Sequence, residues 1–357
     1  VTTLCLAVFL AISATQNQLN DNWINYFSED IPVRAATDVL EQRISGADYL
    51  EFNIRAGKPQ GINDPEFLTC LDNFVQWLRA HPQVEQVTSI TDVMKKLNRV
   101  MHDEDEAWYR LPEQHELAAQ YLLLYEMSLP YGLDQSNIIN IDKSATRLIV
   151  ITKNLGTRAL SDLDLQAQAW LYRNAPPHMQ SQGTGISITF AYLSKRNIIS
   201  MLSAAFGALL AISVILIIAL KRFDIGVISL LPNIIPTTMA FGLWGLLVGE
   251  IGLGLSVVVS MTLGIVVDDS VHFISKYLRA RKSFNMDQVE AIQHAFTTVG
   301  PAMWTTTVAL VAGFLVLMLS DYRMSADMGL LSAITISIAL VMDFLLLPAI
   351  LLLADKP

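Results

Sequence analysis

Residues 198–354 are almost continuously apolar and break into runs of about 20 residues. That is the length an α-helix needs to cross the hydrocarbon core of a bilayer. The block divides into five spans: residues 197–220, 225–248, 252–274, 303–319 and 328–353. The second survives Pro232 and Pro236, because proline is tolerated where neighbouring helices satisfy the freed carbonyls. A polar stretch at 283–298 carries Val289, Ile292 and Phe296 at helical spacing. It reads as a short amphipathic helix on the cytoplasmic membrane surface. Residues 1–14 are also apolar but about a half-dozen residues short of a span. Ile12-Ser13-Ala14 resembles a signal-peptide cleavage site. The parity of the spans instead favours a partial first transmembrane helix.

Between these regions, residues 15–196 have the composition of an ordinary soluble domain and hold most of the acidic excess behind the net charge of −9. An acidic balance without a basic patch argues against nucleic acid as a partner. Cys5 and Cys70 fall in different regions, so neither a disulfide framework nor a metal spacing follows. Lys221, Arg222, Lys276, Arg279, Arg281, Lys282 and Lys356 fall on one side if the spans alternate. The other side has Arg323 with Glu250, Asp321 and Asp327; Lys195 and Arg196 are a small exception there. Basic loops are cytoplasmic, which puts the 15–196 domain outside, in the periplasm or its equivalent. The expected protein is a multi-pass protein of the inner membrane.

Strands are expected at 47–55, 84–90, 145–152 and 185–189, and helices at 65–80, 113–127 and 163–173. Alternation of this kind suggests an α+β sandwich with helices over one face of a mostly antiparallel sheet. The run His102-Asp103-Glu104-Asp105-Glu106 reads as a solvated loop rather than a metal site, because adjacent side chains do not converge. No metal or cofactor is expected.

The chemistry concentrates in Leu263-Gly264-Ile265-Val266-Val267-Asp268-Asp269-Ser270-Val271-His272-Phe273. A charge at the bilayer centre costs about 2.5–3.5 kcal/mol on insertion scales, so a carboxylate kept there marks function. Asp268 shares a helix face with Ser260, Met261, Gly264, His272 and Ser275, while Asp269 points about 100° away. Gly264 removes side-chain bulk and is expected to let another helix approach. A carboxylate balanced between desolvation and a nearby cation can take a proton on one side and release it on the other. His272 is suited to relay that proton or is a plain interfacial histidine. Thr305, Thr306 and Thr307 either hydrogen-bond the carboxylates or bond carbonyls of their own helix. Asp343, in the last span, reads as a second ionisable site or, more readily, a helix-packing residue.

With Gly264–Asp269 in the third span after the domain, the chain resembles one half of a resistance-nodulation-division (RND) superfamily transporter. It is most similar to the predicted-exporter and mycobacterial-membrane-protein-large branch. Pro232-Asn233-Ile234-Ile235-Pro236, Val299-Gly300-Pro301, Thr305-Thr306, Gly313-Phe314 and Asp343 with Leu347-Pro348-Ala349 carry the rest of the likeness. The resemblance implies a polytopic α-helical membrane protein with an extracytoplasmic α+β porter domain of ferredoxin-like βαβ subdomains. It implies that Asp268 and Asp269 are proton-relay carboxylates, and that proton flow inward drives export of hydrophobic or amphiphilic, lipid-like molecules. It also implies membrane lipids and the other half of the transporter as partners; a homo-oligomer is the other arrangement open to a single unit. Two rivals remain: a lipid- or sterol-sensing or protein-export accessory that does not pump, and an intramembrane aspartyl protease pairing Asp268 with Asp343.

Overall fold

The computed structural model describes residues 2–130, 135–220, 223 and 230–354. It is mainly helical and divides into two compact units. The bundle unit comprises residues 1–31 and 194–357, and the sheet unit residues 32–193. In chain order the elements are α1 (Thr2–Ser13), β1 (Gln18–Leu19), α2 (Pro32–Arg43), β2 (Asp48–Arg55), α3 (Pro65–Arg79), β3 (Val84–Thr88), α4 (Ile90–Val100) and α5 (His115–Ser128). They continue with β4 (Ala145–Thr152), α6 (Thr157–Asn174), α7 (Ile186–Leu220), α8 (Leu231–Leu247), β5 (Glu250–Ile251), α9 (Leu253–Ser283), α10 (Gln288–Leu317) and α11 (Arg323–Ala354).

In the sheet unit, strict alternation along β2 and β4 sends Leu50, Phe52, Ile54, Leu148 and Val150 to one face, all buried. Leu50 pairs with Val150 and Phe52 with Leu148 across an antiparallel ladder. The order is β2-β4-β3, with β4 antiparallel to both neighbours. β2 and β3, joined through α3, therefore run parallel with β4 between them, a split βαβ unit. Pro65 at its first turn starts α3. Phe67, Leu68, Leu71, Phe74, Val75 and Leu78 recur at the helical period and are buried. Phe74 meets Phe52 edge-on at 5.6 Å and stacks on Trp170 of α6 at 5.1 Å. Each such side chain contributes about 1.5–3 kcal/mol by leaving water.

Residues 185–189 were expected as a strand and are not one. The stretch Ile186-Ser187-Ile188-Thr189, three of its four residues β-branched, opens α7, a single helix of 35 residues. Local β-propensity yields to the helix that continues it. Gly185, at φ +106°, turns the chain into that helix, and Thr184 makes an antiparallel bridge to Glu51. Helices α2 and α4 were not anticipated. α4 carries its own start signal, since the Ser89 hydroxyl accepts from the Thr91 N–H at 3.2 Å.

Asp164 is fully buried on α6 and holds the approach to α7. It accepts from the Gly183 N–H at 2.6 Å, the Tyr192 hydroxyl at 2.7 Å and the Gln168 amide at 2.8 Å. Asp164→Ala strands those donors and is expected to destabilise the protein by about 3 kcal/mol. Asp164→Asn keeps one acceptor and should lose less. Denaturant unfolding in detergent measures both, and a change within about 0.5 kcal/mol for the alanine variant would contradict this role.

In the bundle unit, α7, α9, α10 and α11 are each long and apolar enough to cross a membrane, while α1 and α8 are shorter apolar helices. The expected second span, residues 225–248, is described only from residue 230 onward. Lys221, Arg222 and Lys356, used above for orientation, lie outside the described residues. The stretch 283–298, expected as a separate surface helix, instead runs from Gln288 into α10 without a break. Asp287 caps it with a capping box closed by Glu290.

Helix α1 is packed into the bundle rather than apposed to it. A Cβ on Gly242 of α8 would lie 1.9 Å from the Leu10 carbonyl oxygen, and one on Gly245 would lie 2.8 Å from that of Ser13. Only glycine permits that approach. Asn17 then donates to the Phe241 carbonyl at 2.8 Å. Beyond α1, β1 pairs in parallel with β5. The buried carboxylate of Asp21 accepts from the Ser194 hydroxyl of α7 at 2.7 Å, from the Leu253 N–H that begins α9 at 3.1 Å, and from Tyr26. Burial first, and then the bond to Asp21, hold the Tyr26 phenol well above its ordinary pKa range.

Candidate functional site

Helix α9 has 31 residues and spans about 46 Å at 1.5 Å per residue. Its carboxylates sit in the middle third, away from both ends. Ser260, Gly264, Asp268, His272 and Ser275 are all exposed and form one stripe. The Asp268 side chain is 72% exposed and that of His272 61%. Their nearest atoms, Oδ1 and Nε2, are 3.4 Å apart, one turn on from each other. Met261, which helical spacing puts on the same face, is half-buried.

Asp269 is turned away from the stripe and half-buried, within electrostatic reach of Asp268 and His272. One residue further round, the helix is closed off. Ser270 is fully buried, and its hydroxyl donates to Oδ1 of Asp343 on α11 at 2.8 Å. Asp343 is itself fully buried, and its Oδ2 has no hydrogen-bond partner. The four groups Asp268, Asp269, Ser270 and Asp343 thus run from the exposed stripe into the interior between α9 and α11.

Gly264 was expected to admit another helix, but nothing lies within 4 Å of the position its Cβ would take. Close helix approaches occur instead at Gly242, Gly245 and Gly329. Thr305 and Thr306 do not hydrogen-bond the carboxylates. Their hydroxyls donate to carbonyls of α10 itself, Thr305 to Pro301 at 2.8 Å and Thr306 to Ala302 and Met303 at 3.0 Å. Hydroxyls in helices commonly bond back in this way. The pairing of Asp343 with Ser270 was missed; its signal was a lone acidic residue in the last apolar run, read mainly as packing.

Asp268 and Asp343 do not face each other, since one is on the open stripe and the other in the interior. The pairing of Asp268 with Asp343 that the protease reading called for is therefore not present. In the sheet unit, His102 stacks on Trp108 at 3.7 Å and its Nδ1 lies 2.7 Å from the Asn98 carbonyl. The acidic run that follows it includes Asp105, which accepts from the Ala107 N–H, and Glu106, which pairs with Arg99. Among the described residues no three His, Cys, Asp or Glu side chains are grouped to hold a metal.

Comparison with known proteins gives two matches. The MMPL family profile matches residues 71–356, which takes in most of the sheet unit and all of α7 to α11. A curated membrane protein of the archaeon Methanocaldococcus jannaschii is 24% identical over 369 aligned residues, covering 99% of this chain and 89% of the relative. The chain is therefore similar to a protein scarcely longer than one span–domain–bundle unit.

Proposed function

The chain belongs to the MMPL family of RND-type membrane transporters, and from that membership and the carboxylate face of α9 we propose that it exports hydrophobic or amphiphilic, lipid-like molecules at the expense of a proton gradient. The observation that carries the reading is the stripe of α9. It places Asp268 and His272 in the open, with Asp269 half-buried behind them, on a helix able to cross the membrane. Carrying an ionised carboxylate there from polar surroundings into lipid costs about 2.5–3.5 kcal/mol. Protonation removes that cost, so the position of α9 depends on the titration state of the pair. In this reading His272, 3.4 Å from Asp268, passes the proton to it.

In this reading movement of α9 reaches the sheet unit through the covalent continuity of α7. α7 is continuous with it, and Asp21 joins α7 to the first N–H of α9. The sheet unit lies in the periplasm or its equivalent in this reading, and the bundle in the inner membrane. Substrate is then taken from the outer leaflet or that compartment. The sheet unit is read as a ferredoxin-like porter domain. Support comes from the split βαβ order and from the Thr184–Glu51 bridge, which sits where a fourth strand would flank β2.

The exposed stripe requires a protein surface or water opposite it, because lipid would leave Asp268 unsolvated. The partner is the other half of a transporter or a second copy of this chain. The near-unit length of the archaeal relative supports the second arrangement. A non-pumping lipid sensor or accessory protein is the rival reading. Efflux of a lipophilic fluorescent amphiphile from proteoliposomes holding the wild-type protein separates them. An imposed pH gradient should drive efflux and a protonophore should stop it. Efflux that ignores the protonophore, or none above protein-free vesicles, removes the proposal.

A further inference from the structure

We infer that Asp343 on α11 is a proton-binding site inside the bundle, exchanging its proton with Asp269 next to Ser270. The inference rests on the proton-coupled reading above and extends it from the exposed stripe to the interior.

Asp343 is fully buried, with one oxygen held by the Ser270 hydroxyl at 2.8 Å and the other buried without any partner. An ionised carboxylate is acceptor-only, with room for about four donors. Here it would hold a full charge on a single neutral hydrogen bond, and burying a charge without compensation costs several kcal/mol. A carboxylic acid suits the same geometry better. It keeps the Ser270 bond on Oδ1 and carries the proton on Oδ2, the atom that nothing else occupies.

No compensating cation faces it among the described residues. α8 has no titratable side chain. α10 has Glu290 and His294, with Asp287 as its cap, all at the start of the helix. α1 offers the exposed Cys5. On α11 itself, Arg323 and Asp327 lie four or more turns back. From α9 come Asp269, which is within electrostatic reach, and Tyr277, which shares a hydrophobic cluster with Leu340 and Leu347; the cations of α9, Lys276, Arg279, Arg281 and Lys282, begin six residues past Ser270, toward its C-terminal end. Asp268 and His272 are on the open stripe. The titratable neighbour left for exchange is therefore Asp269, which makes no hydrogen bond to Asp343 here, so the exchange requires α9 to shift against α11. In that exchange the O–H bond on Asp343 breaks, one forms on Asp269, and the negative charge moves to Asp343. A proton arriving at the stripe then has a second resting place deeper in the bundle.

Dicyclohexylcarbodiimide tests this on the unmodified full chain. It adds across its N=C=N group to a protonated carboxyl in apolar surroundings. The acid proton goes to nitrogen, the carboxyl oxygen bonds to carbon, and the adduct rearranges to a stable N-acylurea with no leaving group. Mass spectrometry of the peptide bearing Asp343 should show the adduct at neutral pH. An adduct confined to Asp268 or Asp269, or none, overturns the inference. Proton flux into proteoliposomes supplies the second readout. Asp343→Asn, eluting as a folded species, should lower flux at least tenfold; wild-type flux from that variant overturns the inference whatever the labelling shows. If wild-type protein carries no proton flux, the proposed function fails instead, and the labelling still reports the state of Asp343.

Discussion

Asp268→Asn and Asp269→Asn in the same chain should reduce proton-driven export by about 10²-fold, with little change in folding. The magnitude follows from the energy at stake. Moving an ionised carboxylate against lipid costs about 2.5–3.5 kcal/mol, and each 1.36 kcal/mol is a factor of ten in rate. An amide cannot alternate between charged and neutral, so helix position is no longer tied to proton supply. The fold should tolerate the change. Asp268 is 72% exposed, its nearest ion partner being His272 at 3.4 Å. Asparagine also matches aspartate in shape. Size-exclusion chromatography in detergent checks the fold, and amphiphile efflux under a pH gradient checks the activity. Efflux at the wild-type rate from the double variant would show that these carboxylates do not couple protons to export.

Gly242→Val should be the most damaging substitution to the bundle. The added Cβ would stand 1.9 Å from the Leu10 carbonyl oxygen, which is backbone and cannot rotate aside. α1 must leave α8, and with it goes the packing of Ala7 and Leu10 against Met239 and Met342. Overpacking of a core typically costs about 1–3 kcal/mol and occasionally more. Here a whole helix contact is lost, so the upper end or beyond is expected. Gly264→Val is the control. Its Cβ meets open space in the single chain, so thermal stability should stay near wild type. Because Gly264 shares the stripe with Asp268, the same variant should weaken association with whatever protein covers that face. Equal thermal losses from the two variants would contradict the packing described for α1.

These two glycines show what the sequence could and could not convey. Both lie in apolar runs, and nothing local says which one meets another helix; that depends on contacts made across more than 200 residues of chain. The same limit hid the Ser270–Asp343 pair, whose members are 73 residues apart. Periodic features were legible because they are local. β4 alternates as expected over Ala145–Thr152, and α3 follows from its buried period. The stripe of α9 was readable for the same reason, since a helix fixes which neighbours share a face. Residues 186–189 were misread because their β-branched composition describes four residues of a helix that is 35 long. The interfacial helix expected before the fourth span proved continuous with it because Gly300 and Pro301 do not interrupt α10.

Proton movement itself is the most direct measurement. Purified protein is reconstituted in vesicles with a pH-sensitive dye in the lumen, and a pH gradient is imposed from outside. Wild-type protein should collapse the gradient faster than protein-free vesicles, and the chain carrying amides at 268 and 269 should not. Equal dye responses from the two proteins would contradict a relay built on α9.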